Sequence, residues 1–252
     1  MTEAAKHSAR GAQPMGAADE ATAARAIRSM FDEIAPRYDL LNHVLSMNVD
    51  RLWWRRTARQ FRHILNRSDA RVVDLCCGTG DMTMALRKLA PAGAPPYLGI
   101  DFAHQMLVRG HDKFSGRGAI ALEGDALKLP LADNSIDLLT AAFGFRNLAN
   151  YRAGLDEIRR VLRPGGEFGI LDFSEPAGLL GKLYRFYFKN VLPKIGTVIS
   201  GVRGPYAYLP ASVERFPEPE DMVAQMRAVG FTDVTWTPYT FGIAGLYRGK
   251  KS

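Results

Sequence analysis

From residue 71 onward, short apolar runs alternate with stretches of helical spacing. The runs are RVVDL (71–75), YLGID (97–101), AIALEGD (119–125), IDLLTAAF (136–143) and EFGILDF (167–173). Helical segments begin between them near Asp81, Ala103 and Tyr151. Strand, helix, strand repeated in this way predicts an α/β fold with a doubly wound parallel sheet. RPGG at 163–166 predicts a turn leading into the fifth strand. A helix, EPEDMVAQMRAVG, and two β-rich runs, FTDVTWT and TFGIAGLYRGK, follow. Only Pro238 and Tyr239 lie between these two runs, which predicts an antiparallel pair at the sheet edge, connected there.

Ahead of the sheet, residues 23–46 carry helical spacing up to the breaker Pro36 and resume it afterwards. RLWWRRTARQFRHIL (51–65) predicts an amphipathic helix. Residues 1–22 are small, polar and alanine-rich, with no apolar stretch of a secretory signal, and predict a disordered lead-in to a single domain spanning 23–252. One segment, residues 176–213, fits no strand–helix unit. It holds Lys182, Arg185, Lys189, Lys194 and Arg203 and no acid, with Leu179, Leu183, Phe186 and Tyr187 at helical spacing. It predicts an inserted lid, with an apolar, basic-flanked face suited to an anionic membrane surface.

Composition adds limits. The chain has 252 residues, 47% of them hydrophobic and 23% charged, enough apolar matter for one ordinary core. The net charge of +7 suits an anionic partner, nucleic acid or membrane, or simply a basic surface. No run approaches the roughly 18 apolar residues of a membrane span, which predicts a cytoplasmic protein, peripherally associated with membrane at most. The two cysteines, Cys76 and Cys77, are neighbours, so neither a disulfide framework nor a metal set at ligand spacing is expected.

The loop after the first strand, CCGTGD, carries the candidate chemistry. In open α/β sheets, ligands sit beyond the carboxyl ends of the strands. A dinucleotide loop needs a third glycine where Thr83 stands, and a phosphate loop needs a G-K-[ST] ending that is absent. Asp81, at the helix start, would repel a pyrophosphate; it is expected to serve as an N-cap. A ligand with a positive centre suits the place, and S-adenosylmethionine has one. Gly78 and Gly80 let the backbone come close. Asp101, roughly 20 residues on, can accept both ribose hydroxyls. Asp125 and Ala126, in the GDA that ends the third strand, can read the adenine edge.

VVDLCCGTGD, GID, GDA, LPLADNSID and RRVLRPGG resemble the motifs of class I S-adenosylmethionine-dependent methyltransferases, a Rossmann-like fold with an antiparallel last strand. FDEIAPRYDLLNHVLS, AFGFRN, LPKIG, YLPASVERFP and TFGI narrow the resemblance to the quinone-biosynthesis C-methyltransferases, over roughly residues 27–250. That resemblance implies methyl transfer to a ring carbon of a prenylated quinol, demethylmenaquinol to menaquinol or the ubiquinone-pathway benzoquinol. It places cofactor contacts on Thr79, Asp101, Asp125 and Ala126, beside Gly78 and Gly80, and implies no metal. Ala142 stands where the family often has a serine, and Asp50 where it often has a histidine. The pair Arg146 and Asn147 is implied as the catalytic element, the arginine holding a phenolate or orienting a water, since its pKa bars it from acting as a base. The alternative for Arg146 is an ion pair with Asp172 that closes the strand end. Tyr38, Asp39 and His43 are candidates to cover the cofactor. A nucleic-acid methyltransferase that works on amino groups would carry an N/D-P-P-Y/F motif, absent from FGFRN, so no nucleic-acid partner is expected. A small-molecule O-methyltransferase and a non-catalytic cofactor-binding protein remain as rival readings, and oligomeric state is not legible.

Overall fold

A computed structural model describes residues 11, 12, 14, 17–37, 48–176, 181 and 205–252. The sheet has seven strands: β1 Val72–Leu75, β2 Tyr97–Asp101, β3 Ala119–Glu123, β4 Ile136–Ala142, β5 Leu162–Phe173, β6 Phe231–Tyr239 and β7 Ala244–Lys251. Their order is β3-β2-β1-β4-β5-β7-β6. β1 to β5 are parallel; β7 runs antiparallel to both β5 and β6. This is the doubly wound architecture read from the alternating runs, with the antiparallel pair at the edge.

The helices are α1 Glu20–Ile34, α2 Val49–Gln60, α3 Arg62–Leu65, α4 Asp81–Arg87, α5 His104–Phe114, α6 Tyr151–Val161, α7 Pro205–Arg215 and α8 Pro219–Val229. One apolar cluster joins α6 and α8 to a sheet face through Leu155, Ile158, Met222, Met226, Leu139 and Ile170. A second joins α2 to α4 on the other face through Trp53, Phe61, Leu86, Leu138 and Leu246. Burial on both faces explains why β1 and β4 read as mostly apolar runs, with Asp74, Asp137 and Thr140 as their buried polar exceptions.

Four local expectations change. α1 starts at Glu20, not at 23, because the Asp19 carboxylate accepts the Thr22 N–H at 2.7 Å and caps the helix. Gly11 and Ala12, inside the segment expected to be disordered, lie against β4's following loop, where the Ala12 N–H donates to the Leu148 carbonyl at 2.7 Å. RPGG is a bulge within β5 rather than a turn before it, since Leu162 already pairs with Ile136 and Glu167 with Leu138. The β6–β7 connection is a 3₁₀ turn at Thr240–Gly242, while Pro238 and Tyr239 remain in β6 and pair with Gly245 and Ala244. Tyr38, Asp39, His43 and the basic residues of the expected lid from Lys182 to Arg203 lie outside the described residues. No helix among the described residues is long and apolar enough to cross a membrane.

Candidate functional site

Register builds the cleft. Leu75 at the end of β1 stands opposite Ile100 on β2 and Ala141 on β4, so three carboxyl ends stop at one level. The order reverses between β1 and β4, the switch point where open α/β sheets leave a crevice. Here lies a cleft of about 700 Å³, part of it open to solvent. Its wall includes Cys76, Asp101, Asp125, Ala126, Phe143 and Asn147, and α1 covers it with Ala24 and Phe31. A smaller cavity beside it is lined by Asp74, Thr79, Asp81 and Trp54, and it shares Cys76, Ala142 and Phe143 with the first.

Two of the three residues shared by the cavities are strained. Cys76 has φ +53° and Phe143 φ +59°, values that side-chain-bearing residues rarely adopt. Gly144, next to Phe143, packs directly on Cys76, and a Cβ there would overlap the cysteine Cβ. Close approach of these two loops closes the floor of the cleft. Both cysteines are free, and burial pushes both thiols up, so neither is poised as a thiolate.

Asp101 is buried, 7% exposed. Its Oδ2 accepts the Gly78 N–H at 2.8 Å and its Oδ1 the Ala103 N–H at 2.9 Å. It therefore ties the glycine loop to β2 and starts α5. A carboxylate has about four lone-pair sites, so each oxygen keeps one to turn toward the cleft. Burial pushes its pKa up to about 6, against the pull of those backbone N–H groups. Asp125 is exposed at the rim, and its Oδ1 accepts the Leu127 N–H at 2.9 Å, fixing the turn that presents Ala126.

Gly78 and Gly80 have φ +53° and +92°, the left-handed backbone that only glycine takes freely. Gly80 itself is the N-cap of α4, which corrects the expectation for Asp81: that residue is in the first turn and pairs with Lys113 Nζ at 2.9 Å. Lys113 Nζ also donates to the Thr79 hydroxyl at 3.0 Å. This lysine, at the far end of α5, clamps the loop, and nothing in the sequence around it signals the role. Asp74, in the smaller cavity, is buried and accepts from the Thr83 and Thr140 hydroxyls at 2.7 and 2.8 Å. Burial pushes it up to about 7.

Arg146 and Asn147 part company. The short 3₁₀ turn Phe145–Asn147 buries both, but the Arg146 guanidinium turns to Asp172. Its Nη1 lies 2.9 Å from Asp172 Oδ1, and its own backbone N–H donates to Oδ2 at 3.0 Å. The Phe143 carbonyl and the Ser212 hydroxyl of α7 accept from the same guanidinium. The ion pair named as the alternative is thus present. Asn147 instead lines the cleft, and neither its Oδ1 nor its Nδ2 has a hydrogen-bond partner among the described residues. A buried side-chain amide with both ends unpaired is costly unless a ligand completes it. No group of three His, Cys, Asp or Glu side chains that could hold a metal ion occurs among the described residues.

Comparison with known proteins bears on this geometry. The family model of the ubiE/COQ5 methyltransferase family matches residues 18–251. The chain is 47% identical to a demethylmenaquinone methyltransferase of Deinococcus radiodurans over 94% of this chain and 97% of that protein. It is 43% identical to a ubiquinone/menaquinone biosynthesis C-methyltransferase UbiE of Geobacter sulfurreducens, over 89% of this chain and 88% of that one. Among solved structures, a SAM-dependent methyltransferase of Thermotoga maritima superposes with a TM-score of 0.61 at 19% identity, covering 89% of this chain and 99% of that one. At that identity the likeness speaks for the fold alone.

Proposed function

This chain belongs to the ubiE/COQ5 methyltransferase family, and from that premise we propose that it methylates a ring carbon of a prenylated quinol. The acceptor is demethylmenaquinol, giving menaquinol, with the ubiquinone-pathway benzoquinol as a second acceptor. The names of relatives 43–47% identical over most of both chains support this choice. The methyl donor is S-adenosylmethionine, which supplies a methyl group made electrophilic by its sulfonium.

The residues present fit that donor. The free lone pairs of Asp101 would accept the two ribose hydroxyls, and Asp125 with Ala126 would border the adenine. Gly78, Thr79 and Gly80, held by Lys113, shape the smaller cavity for the amino-acid end. The Asp74 and Asp81 side chains border that cavity as acceptors, Asp81 already held by Lys113.

The observation that carries the acceptor side is the unpaired amide of Asn147 in the cleft wall. A quinol hydroxyl can donate to its Oδ1, and the phenolate left when that proton passes to solvent can accept from Nδ2; after methyl transfer the ring carbon loses its own proton to solvent and the ring regains aromaticity. Either bond fixes the ring so that the carbon beside the oxygen faces the methyl group, which is orientation rather than proton abstraction. Arg146 serves as a positioning residue: its bonds to Asp172 and Phe143 set the turn from which Asn147 projects. Aromatic side chains of Trp53, Phe143 and Phe173, 4.6–6.2 Å apart, give an apolar flank for the ring. A prenylated acceptor resides in membrane, so peripheral contact with an anionic bilayer belongs to the same reading.

The direct test supplies the purified chain with S-adenosylmethionine and a short-chain demethylmenaquinol kept reduced. The expected product carries one new methyl on a ring carbon, located by NMR. Methylation at oxygen would instead establish an O-methyltransferase, and donor binding without any turnover would leave only a binding protein.

A further inference from the structure

The solvent side of α2 is basic along its length. At about 100° per residue, Arg51, Leu52, Arg55, Arg56 and Arg59 fall within an arc of about 140°, and all five are exposed. Trp53, Trp54, Thr57 and Ala58 fill the opposite arc and are buried. The helix's single acid, Asp50, is buried as well and accepts the Arg51 N–H at 2.7 Å. None of the four arginines makes an ion pair among the described residues. Elsewhere in the domain Arg28, Arg67, Arg146, Arg152, Arg160 and Arg163 are each paired with a carboxylate. An unneutralised row of this kind holds a standing attraction for anions.

Beside this row stands the strained β6–β7 turn. Thr240, Phe241 and Gly242 have φ +45°, +58° and +88°, three left-handed residues in succession. For a β-branched and an aromatic residue this is a genuine outlier. The turn is pinned rather than loose. Trp53 Nε1 of α2 donates to the Thr240 hydroxyl at 2.8 Å, and the Ser174 hydroxyl donates to the Gly242 carbonyl at 2.7 Å. Arg56 stacks over the Tyr239 ring at 4.2 Å, joining the row to the turn. What the strained backbone achieves is to hold Phe241 out in solvent, 84% exposed; Leu52 is 58% exposed. Strain kept at a pinned turn points to function. The turn lies on the cleft's rim, because Ala244 just beyond it pairs with Phe173 at the carboxyl end of β5.

We propose that Arg51, Leu52, Arg55, Arg56, Arg59 and Phe241 form a docking surface for an anionic lipid bilayer. The guanidinium forks take headgroup phosphates, while Phe241 and Leu52 enter the interface between headgroups and acyl chains. The cleft mouth then opens toward the phase in which a prenylated acceptor is dissolved. This inference rests on the quinol reading and deepens it. It is independent of residues 177–204, whose basic side chains were the sequence-based candidates for membrane contact. Lipid is favoured over nucleic acid because Leu52, 58% exposed within the row itself, is aliphatic and offers no stacking face, and Tyr239 is buried under Arg56, which leaves Phe241 as the single exposed ring of the proposed surface.

The experiment is co-sedimentation of the full chain with vesicles, without donor or quinol. Wild type is expected to bind vesicles containing phosphatidylglycerol and not pure phosphatidylcholine, with release at high salt. The triple variant Arg51→Glu, Arg55→Glu, Arg59→Glu should bind on the order of 100-fold more weakly. Phe241→Gly, which suits the left-handed backbone, should weaken binding about tenfold while its melting temperature stays level or rises. Methyl transfer to a short-chain quinol should be unchanged in both variants. Equal binding to neutral vesicles, or full retention by the triple variant, overturns the proposal, as does capture by mixed-sequence RNA that exceeds capture by vesicles. If vesicle binding fails while the short-chain quinol is methylated, only the docking surface is lost. If vesicle binding follows the arginines while no quinol is methylated, the surface stands and the substrate reading falls.

Discussion

Two strand-end carboxylates, Asp101 on β2 and Asp172 on β5, occupy equivalent places at the two ends of one rim, and both are buried. Asp172 gives both oxygens to Arg146, by its guanidinium and its backbone N–H, and one also to the Phe173 N–H. Asp101 has backbone N–H partners alone, no cation, and a pKa pushed up to about 6 by burial. One carboxylate is compensated inside the protein and the other waits for compensation from outside. The same division separates the neighbours Arg146, saturated by protein, and Asn147, unpaired. In this rim, polar groups that the fold satisfies act as architecture, and those that it leaves unsatisfied face the ligand.

The largest effect is expected where compensation is broken. Asp172→Ala strands a buried guanidinium, and loss of one partner of a buried pair costs about 3–5 kcal/mol. Urea unfolding should show that loss in the ligand-free protein. Asp101→Ala, by contrast, strands no buried charge: it leaves the Gly78 and Ala103 N–H groups without their acceptor but also removes a carboxylate that burial penalises, so at pH 8 it should cost less than Asp172→Ala, about 1–3 kcal/mol at most. Equal destabilisation of the two variants would erase the distinction between them.

The second effect concerns affinity. Asp101→Ala should weaken S-adenosylmethionine binding by about 1.5–3 kcal/mol, the worth of hydrogen bonds to a charged group, as read by calorimetry at pH 8. Wild-type affinity should itself decline as pH falls through about 6, where the carboxylate takes up a proton and loses acceptor capacity. Stability has the opposite sign. Between the unfolded value near 4 and the folded value near 6 or 7, the native state holds protons at Asp101 and Asp74 that the unfolded chain releases. These two groups therefore favour the folded state at low pH, and that contribution is lost as pH rises through 6 to 7. Asp101→Asn should remove its share of both trends.

What the sequence shows of this rim follows the same physics. β1 and β4 are legible because burial on both faces makes them mostly apolar, interrupted only by Asp74, Asp137 and Thr140, and the loop because Gly78 and Gly80 supply backbone that other residues resist. The family motifs point to Asp101 and to Asn147 by position. They do not reveal that the Arg146 guanidinium faces Asp172, since that depends on which way a side chain leaves a 3₁₀ turn. Lys113 is invisible for a related reason: its partners Thr79 and Asp81 are brought to it only by α5 packing along the loop. The Thr240–Gly242 turn is misplaced in the sequence because Pro238 looks like its start. On the edge strand β6 a proline is tolerated, since the missing N–H is not needed on an open side. The turn is instead made by a threonine and a phenylalanine in conformations that their side chains oppose.

The smallest effect is expected at Asn147, and it is the most discriminating. Asn147→Leu replaces an unpaired buried amide with an apolar side chain of similar size. If the amide served the fold, this change would cost stability; because neither end has a protein partner, it should be neutral or slightly stabilising. Donor affinity should also hold, since the residues proposed for the adenosine, Asp101, Asp125 and Ala126, belong to the ends of β2 and β3. Turnover should fall about tenfold at saturating quinol, the scale of one neutral hydrogen bond of about 1–1.5 kcal/mol used in orienting the ring. Asn147→Asp, nearly isosteric, would place a carboxylate against the phenolate and should slow methyl transfer further, most of all at high pH where the carboxylate is ionised. A variant that melts early and loses donor binding along with turnover would return Asn147 to the architectural class of Arg146. Retained stability and donor affinity with slowed transfer would place it on the ligand's side of the division.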